Sequence, residues 1–248
     1  MPSSYAPLSA PNLCVRLLAA AILAASGLSA QAQPEPPERF KVECERRLGL
    51  GAVIVDSLPS EVVYEFGMGA QELTRKAPLG GAAHITLGLT QANFQLSSSW
   101  EGQTLVDRAT GLACARPKVK VQVQVGPQRV TVAKEFPKGT CAFWEIAEHE
   151  LRHVKANQAH AERVADELKA ALSRSFGNRV FYGTPGELRV AFTENLKSQW
   201  LPWGKSRFDG VKAAHRQIDS PAEYARNNTM CDGEVPRALG APFARRQS

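Results

Sequence analysis

Two histidines and a glutamate lie in the segment His149-Glu150-Leu151-Arg152-His153, which matches the pattern HExxH. Residues i and i+4 of an α-helix lie on one face, one turn apart, so both imidazoles can reach a single metal ion. The intervening glutamate stands beside that ion, where it can take a proton from an activated water molecule and pass it to a leaving amine. The pattern predicts a Zn²⁺ site with His149 and His153 as ligands and Glu150 as the general base.

The residues around the motif predict a helix of the required kind. Residues 142–174 contain neither glycine nor proline, and their apolar side chains repeat along one stripe. Charged residues occupy a second face, and the two motif histidines lie on the border between stripe and charges. A core histidine would lie on the stripe and a solvated one among the charges. The border position therefore favours a metal site over two surface histidines.

The third metal ligand is not defined by the motif. His160 lies on the face of His149, but it stands about 10 Å along the helix beyond His153, too far to share one ion. If the chain reverses near 176–185 and packs back antiparallel, residues near 208–215 come level with the motif. The third ligand is then expected from this returning chain.

Three residues of the returning chain are candidates for the third ligand. We rank His215 first, followed by Asp219 and Asp209. Glu194, which has a suitable sequence distance from the motif, would lie far from it in this packing.

The motif and its surroundings resemble the zincin metallopeptidases. More narrowly, they are similar to bacterial secreted HExxH domains of unknown function that are described as zinc-dependent proteases. The likeness covers residues 110–232 and includes an Asp-Ser-Pro-x-Glu-Tyr stretch from Asp219 to Tyr224. It implies zinc bound by the motif histidines, with the motif glutamate as base. Tyr224 is a second catalytic candidate, because a tyrosine donates to a developing oxyanion in some zincins.

One subclass of the zincins is excluded by the sequence. The metzincin pattern needs a helix-breaking glycine at position 156 and a histidine at position 159. Alanine stands at both positions here, as Ala156 and Ala159.

Strand signals precede the motif and helical signals follow it. Alternating stretches occur at 50–55, 84–96, 117–125 and 129–134, and the last two read as a hairpin around Gly126-Pro127-Gln128. Further helices are expected at about 187–200, at about 208–215, and from Pro221 with Ser220 as its cap. The predicted fold is α+β, with an antiparallel strand-rich half (45–137) followed by a helical half (141–232) that carries the HExxH helix.

The N-terminus has the pattern of a signal peptide. Arg16 precedes the apolar run 17–28, and small residues then favour cleavage after Ala32. The apolar run is too short to span a bilayer, so no stable membrane anchor is expected after cleavage. The predicted organisation is a signal peptide (1–32), a Pro-rich segment (33–43) and one zincin-like domain (44–248). The predicted location is secreted or periplasmic.

Four cysteines remain beyond the signal peptide, and in an oxidising compartment an even number favours two disulfides. The predicted hairpin would bring Cys114 close to Cys141. We therefore favour Cys114–Cys141 together with Cys44–Cys231, although three pairings exist. A thiolate metal site is disfavoured, since no Cys-x-x-Cys spacing occurs.

Charge limits the expected partners. The formal charge of +6 is spread along the chain, without a basic cluster interleaved with aromatic residues, so nucleic acid is not expected to bind. The expected function is a zinc-dependent hydrolase, foremost a metallopeptidase acting on a protein or peptide. The alternatives are a zinc amidase acting on cell-wall material and a non-catalytic envelope binding protein. A missing third ligand, or a site covered by the segment 200–203, would favour the binding protein.

Overall fold

A computed structural model describes residues 35–76 and 85–240 of the chain. The helices are α1 (Glu38–Arg47), α2 (Ala70–Lys76), α3 (Cys141–Phe176), α4 (Pro185–Asn195), α5 (Leu201–Phe208), α6 (Val211–Ile218), α7 (Pro221–Arg226) and α8 (Met230–Leu239), with a π-helical turn (Leu196–Trp200) between α4 and α5. The strands are β1 (Ala52–Leu58), β2 (Val62–Glu65), β3 (Gly88–Gln91), β4 (Phe94–Glu101), β5 (Thr104–Val106), β6 (Ala113–Ala115), β7 (Lys118–Val125), β8 (Gln128–Val132) and β9 (Phe181–Gly183). Sheets in the N-terminal half and helices in the C-terminal half confirm the predicted α+β class.

The predicted hairpin between β7 and β8 is wrong, because the chain does not reverse at Pro127. The backbone N–H of Gly126 donates to Asn93 on one side, and that of Gln128 donates to Glu61 on the other, both at 2.8 Å. Pro127 has no N–H to donate and lies between these two bonds. β7 therefore leads directly into β8, and each strand pairs with other strands.

The continuous β7–β8 path has partner strands on both sides. β1 and β2 run parallel to it, and β3 and β4 run antiparallel to it. The strand region is therefore mixed, not wholly antiparallel as predicted. The register explains the bend: Phe94 pairs with Val125 and Gln91 with Arg129, so the central path has one more residue than its antiparallel neighbour. Such an extra residue is a β-bulge, which kinks a strand without ending it.

The long helix α3 packs on this sheet and has the predicted extent within two residues at each end. Thr140 caps it, accepting a hydrogen bond from the N–H of Phe143 at 3.2 Å. Its apolar stripe joins one buried cluster with β7, in which Leu168 and Leu172 are at most 1 % exposed. Burying one such leucine contributes about 2 kcal/mol, so α3 is firmly anchored.

The helices after α3 return along it, as the sequence predicts. Thr184 and Glu187 form a capping box at the start of α4, and Ser220 caps α7 by accepting from the N–H of Glu223. The stretch between the predicted helices at about 187–200 and 208–215 is itself helical and forms α5. Pro202 stands in the first turn of α5, where its missing N–H costs no hydrogen bond. α6 then packs against α3.

Two disulfides are present, but both predicted pairings are wrong. The bonds join Cys44 to Cys114 and Cys141 to Cys231. Since β7 and β8 form one path and not a hairpin, Cys114 and Cys141 lie at opposite ends of it. Cys114 therefore meets α1, and Cys141, at the start of α3, meets α8. Two disulfides are consistent with an oxidising environment.

The predicted signal peptide and the first residue of the predicted strand 84–96 lie outside the described residues. α1 begins at Glu38, inside the segment described above as Pro-rich. Within the ranges 35–76 and 85–240, no helix is both long enough and apolar enough to cross a membrane.

Candidate metal centre

The candidate metal centre is built on one turn of α3. The Nε2 atoms of His149 and His153 lie 3.2 Å apart and face the same point. This is the arrangement that the i, i+4 spacing of the motif predicts. The side chains of His153 and His149 are 10 % and 16 % exposed, so both rings are largely shielded from water.

Asp219 supplies a third donor atom. Its Oδ1 lies 3.1 Å from the Nε2 of His149 and 3.1 Å from the Nε2 of His153. Donor atoms at about 2.0–2.1 Å from a tetrahedral zinc ion are about 3.3 Å from one another, so the three atoms have nearly the spacing that zinc requires. Two histidines and a carboxylate leave the fourth position to water or substrate, as in catalytic zinc sites. The residues present therefore fit a zinc ion.

His215, ranked first from the sequence, lies beside the site but not among these donors. Its Nδ1 is 2.7 Å from the Nδ1 of His153, on the edge of that ring away from Asp219. Its Nε2 is 3.0 Å from the Oδ1 of Asn157. The ranking of His215 ahead of Asp219 does not agree with this geometry, in which Asp219 occupies the third position.

The cause is the register in which the returning chain packs against α3. His215 lies level with Asn157 and His153, and Asp219 lies level with His153 and His149. Glu223, four residues further on, reaches His149. The two chains are therefore antiparallel here. Moving along the returning chain from 215 to 219 to 223 corresponds to moving back along α3 from 157 to 153 to 149. Residues 215–223, and not the predicted 208–215, therefore lie level with the motif.

Glu223 holds the outer edge of His149 and was missed as a functional residue. Its Oε1 is 3.1 Å from the Nδ1 of His149, and its carboxylate also binds Arg152 and Arg226. Burial would raise the pKa of Glu223, but hydrogen bonds with Arg226, Arg152 and His149 outweigh it and lower that pKa to about 2. Glu223 and Arg152, whose Nη2 lies 2.8 Å from the same Nδ1, together hold the ring so that its Nε2 faces Asp219.

The spacing of four between Asp219 and Glu223 is the signal that could have found Glu223. The residue lies in the Asp-Ser-Pro-x-Glu-Tyr stretch, and Ser220 with Pro221 starts a helix there. Residues one turn apart on that chain can meet ligands one turn apart on α3.

Glu150 points from α3 to the edge strand β3. Thr90 donates a hydrogen bond from Oγ1 to the Oε2 of Glu150 at 2.7 Å. Gly88 gives the side chain room, because a Cβ at that position would stand 2.6 Å from Oε1 of Glu150. Burial raises the pKa of Glu150, and the charges of His149 and His153 offset only part of this. A raised pKa suits a general base acting near neutral pH.

The charges around the donor atoms favour an ionised Asp219. Burial would raise the pKa of Asp219, but hydrogen bonds with His149 and His153 hold it well below its usual value. Burial lowers the pKa of His149, yet hydrogen bonds with Asp219 and Glu223 and the charge of Glu150 leave that pKa raised. Protons therefore compete with a metal ion at His149, and binding would release them.

Tyr224, the second catalytic candidate, lies within electrostatic reach of the site. Burial raises the pKa of its phenol, and the negative charges of Asp219 and Glu150 raise it further. The phenol is therefore protonated at neutral pH and able to donate a hydrogen bond.

The other sequence candidates lie apart from the donor atoms. Asp209 is exposed and pairs with Lys212 at 2.7 Å. His160 instead contacts the backbone carbonyl of Arg207 through Nε2 at 2.9 Å.

A second group, Cys141, Cys231 and Glu234, has donor atoms at similar separations. Both of its sulfur atoms are joined in a disulfide, and the Oε2 of Glu234 accepts a hydrogen bond from the N–H of Ala142 at 3.0 Å. Because a metal ligand must be a thiolate, this group does not compete with the histidine site while the disulfide is intact.

Protein-family models, curated proteins and solved structures were each compared with the chain, and none of them matches it. The relationship to the zincins therefore stays a prediction from the sequence, and the functional interpretation depends on the geometry of the site.

Proposed function

We propose that the protein is an exported zinc-dependent hydrolase that cleaves peptide bonds. His149, His153 and Asp219 would hold the ion. The single observation that carries the proposal is the meeting of these three donor atoms at 3.1–3.2 Å beside the buried carboxyl of Glu150. When bound, zinc supplies Lewis acidity, which lowers the pKa of a water molecule and polarises a carbonyl group.

Three residues of the chain supply the remaining catalytic roles. Glu150 takes the proton of the attacking water on its carboxylate and delivers it to the leaving amine. Thr90 fixes the rotamer of that carboxylate through its 2.7 Å hydrogen bond. Tyr224 donates its phenolic hydrogen to the oxygen on which negative charge develops.

A peptide substrate is supported by the position of β3. Among the described residues, β3 pairs only with β8, so its other edge is available to an extended peptide. The same strand carries Thr90, which contacts the catalytic candidate Glu150. A peptide lying along β3 would therefore pass beside the carboxyl that must reach its scissile bond. This observation favours a peptide over cell-wall material.

Two features would favour a non-catalytic binding protein: a missing third ligand, and a site covered by the segment 200–203. Asp219 supplies a third donor atom beside the two histidines, which supports the hydrolase over the binding protein. Trp200 and Trp203 pack against the core cluster of α3 and β7.

Zinc content and hydrolysis test the proposal together. Purified mature protein is expected to hold about one zinc ion per chain, and His153→Ala and Asp219→Ala are each expected to lose it. Wild type should cleave casein and leave peptidoglycan fragments intact, with Asp209→Asn as the matched control that keeps both zinc and activity. Wild-type protein that takes up no zinc after reconstitution would contradict the proposal. Cleavage of peptidoglycan fragments alone would replace the peptidase with an amidase.

A further inference from the structure

The hydrogen-bond partners of His153 raise the question of which ring nitrogen carries its hydrogen. The Nδ1 atoms of His153 and His215 face each other at 2.7 Å. A contact between two ring nitrogens is favourable only if one of them donates and the other accepts. The direction of this bond decides whether the Nε2 of His153 has a free lone pair for a metal ion.

A backbone carbonyl fixes the far end of this network. The oxygen of Val154 can only accept, so the side chain of Gln128 must turn its Nε2 toward it, at 3.4 Å. The Oε1 of Gln128 then accepts from the Nδ2 of Asn157 at 2.8 Å. The reverse orientation would place two oxygen atoms against each other in a buried position.

The same order continues to the metal site. Because Asn157 donates from Nδ2 to Gln128, its Oδ1 faces His215 and accepts from the Nε2–H of that ring at 3.0 Å. A neutral His215 with its hydrogen on Nε2 has a lone pair on Nδ1. That lone pair accepts from the Nδ1–H of His153. The Nε2 of His153 is left without a hydrogen, facing His149 and Asp219.

One contact acts against this order. The carboxylate of Asp219 lies 3.1 Å from the Nε2 of His153 and would favour a hydrogen there. His149, however, offers its own Nε2 to the same oxygen at an equal distance. Gln128 and Asn157 are at most 3 % exposed, so water does not replace a broken bond in the network.

We propose that Asn157 and His215 are positioning residues that place the hydrogen of His153 on Nδ1 and so keep its Nε2 free to bind the metal. The inference rests on the proposed function, because it assigns these residues a role toward the same ion. His215 then acts through His153 and is not itself a ligand.

The direct test is the tautomer of each histidine in metal-free protein. Long-range ¹H–¹⁵N correlation spectra of wild-type protein distinguish a hydrogen on Nδ1 from one on Nε2. The expected result is Nδ1–H for His153 and Nε2–H for His215. A neutral His153 that carries its hydrogen on Nε2 would overturn the proposal, and no variant needs to fold for this measurement.

Two variants test the consequence for metal binding. His215→Phe removes the acceptor of His153 and keeps a ring, and Asn157→Leu removes the acceptor of His215. Each is expected to move His153 away from the pure Nδ1–H form and to weaken zinc binding by about 10- to 100-fold, measured by competition with a chelator. Asp209→Asn, on the exposed surface before α6, is the control and should change neither the tautomer of His153 nor the zinc affinity. An unchanged tautomer and an unchanged zinc affinity in His215→Phe would overturn the proposal.

The two experiments separate this inference from the proposed function. If wild type binds zinc and His153 has its hydrogen on Nε2 in metal-free protein, only the inference fails. If wild type binds no zinc but the tautomers are as expected, the proposed function fails and the positioning network stands.

Discussion

The two sides of the metal centre are built in contrasting ways. The α3 side lies on a helix of 36 residues whose apolar stripe is buried in the core. The other side, residues 211–226, which we call the return segment, consists of two short helices. α6 has one buried residue, Val211, and α7 has none. The return segment is therefore held mainly by polar contacts at the site itself.

The contrast indicates what a metal ion would do for the fold. His149 and His153 are already placed by α3 before any ion binds, as a preorganised site requires. Asp219 and Glu223 depend on contacts with those histidines and with Arg152. An ion that joins Asp219 to α3 would therefore stabilise the return segment far more than it stabilises α3.

The largest expected effect is the loss of hydrolysis, without loss of zinc, when the general base on α3 is replaced. Glu150→Gln removes the base and keeps the size of the side chain, so the rate of peptide hydrolysis should fall by about 10²- to 10⁴-fold. Zinc content should stay at the wild-type level, because Glu150 is not among the donor atoms. Elemental analysis beside a protease assay checks both. Loss of zinc in this variant would mean that Glu150 supports the site and is not only its base.

The next effect concerns the carboxylate of the return segment. Glu223→Gln removes the charge that orients His149 and should weaken zinc binding by about 10- to 100-fold. Glu145→Gln is a matched control, because Glu145 binds Arg226 and has no hydrogen bond to His149 among the described residues. Chelator competition measures both affinities. Equal affinities in the two variants would show that the Glu223–His149 contact does not contribute.

Zinc removal tests the contrast between the two sides directly. Hydrogen exchange of the zinc-loaded protein, with and without a chelator, should become faster in residues 211–226 and stay slow in the middle of α3. The core contacts of α3 do not depend on the ion, whereas the return segment has few of its own. An equal increase in exchange rate in both regions would show that the ion does not stabilise the return segment selectively.

The smallest effect is a pH dependence of the metal-free protein. Burial raises the pKa of Glu150 above its usual 4.5. The folded protein therefore retains a proton that the unfolded chain releases, and stability falls as the pH rises from about 4.5 through the higher folded pKa. Thermal unfolding between pH 5 and 8 should show this decline in wild type and a smaller one in Glu150→Gln. A Glu150→Gln curve parallel to wild type would mean that Glu150 is not the source.

Local patterns determined the α3 side of the site. The spacing of His149, Glu150 and His153 and the absence of helix breakers were enough to predict the long helix and the meeting of the two rings. The cap at Ser220 and the helix that follows it are equally local, because capping depends on neighbouring residues only. The α+β class follows from the change of hydrophobic period along the chain.

Tertiary structure decided the rest, because each remaining feature depends on how distant segments align. The register between α3 and the return segment places Asp219, and not His215, beside the two Nε2 atoms. One β-bulge near Pro127 turns a predicted hairpin into a single bent path, and that change separates Cys114 from Cys141. Spacing along the sequence fixes what lies one turn away on the same helix. The register between α3 and the return segment is fixed only by packing and by the contacts that form when the chain has folded.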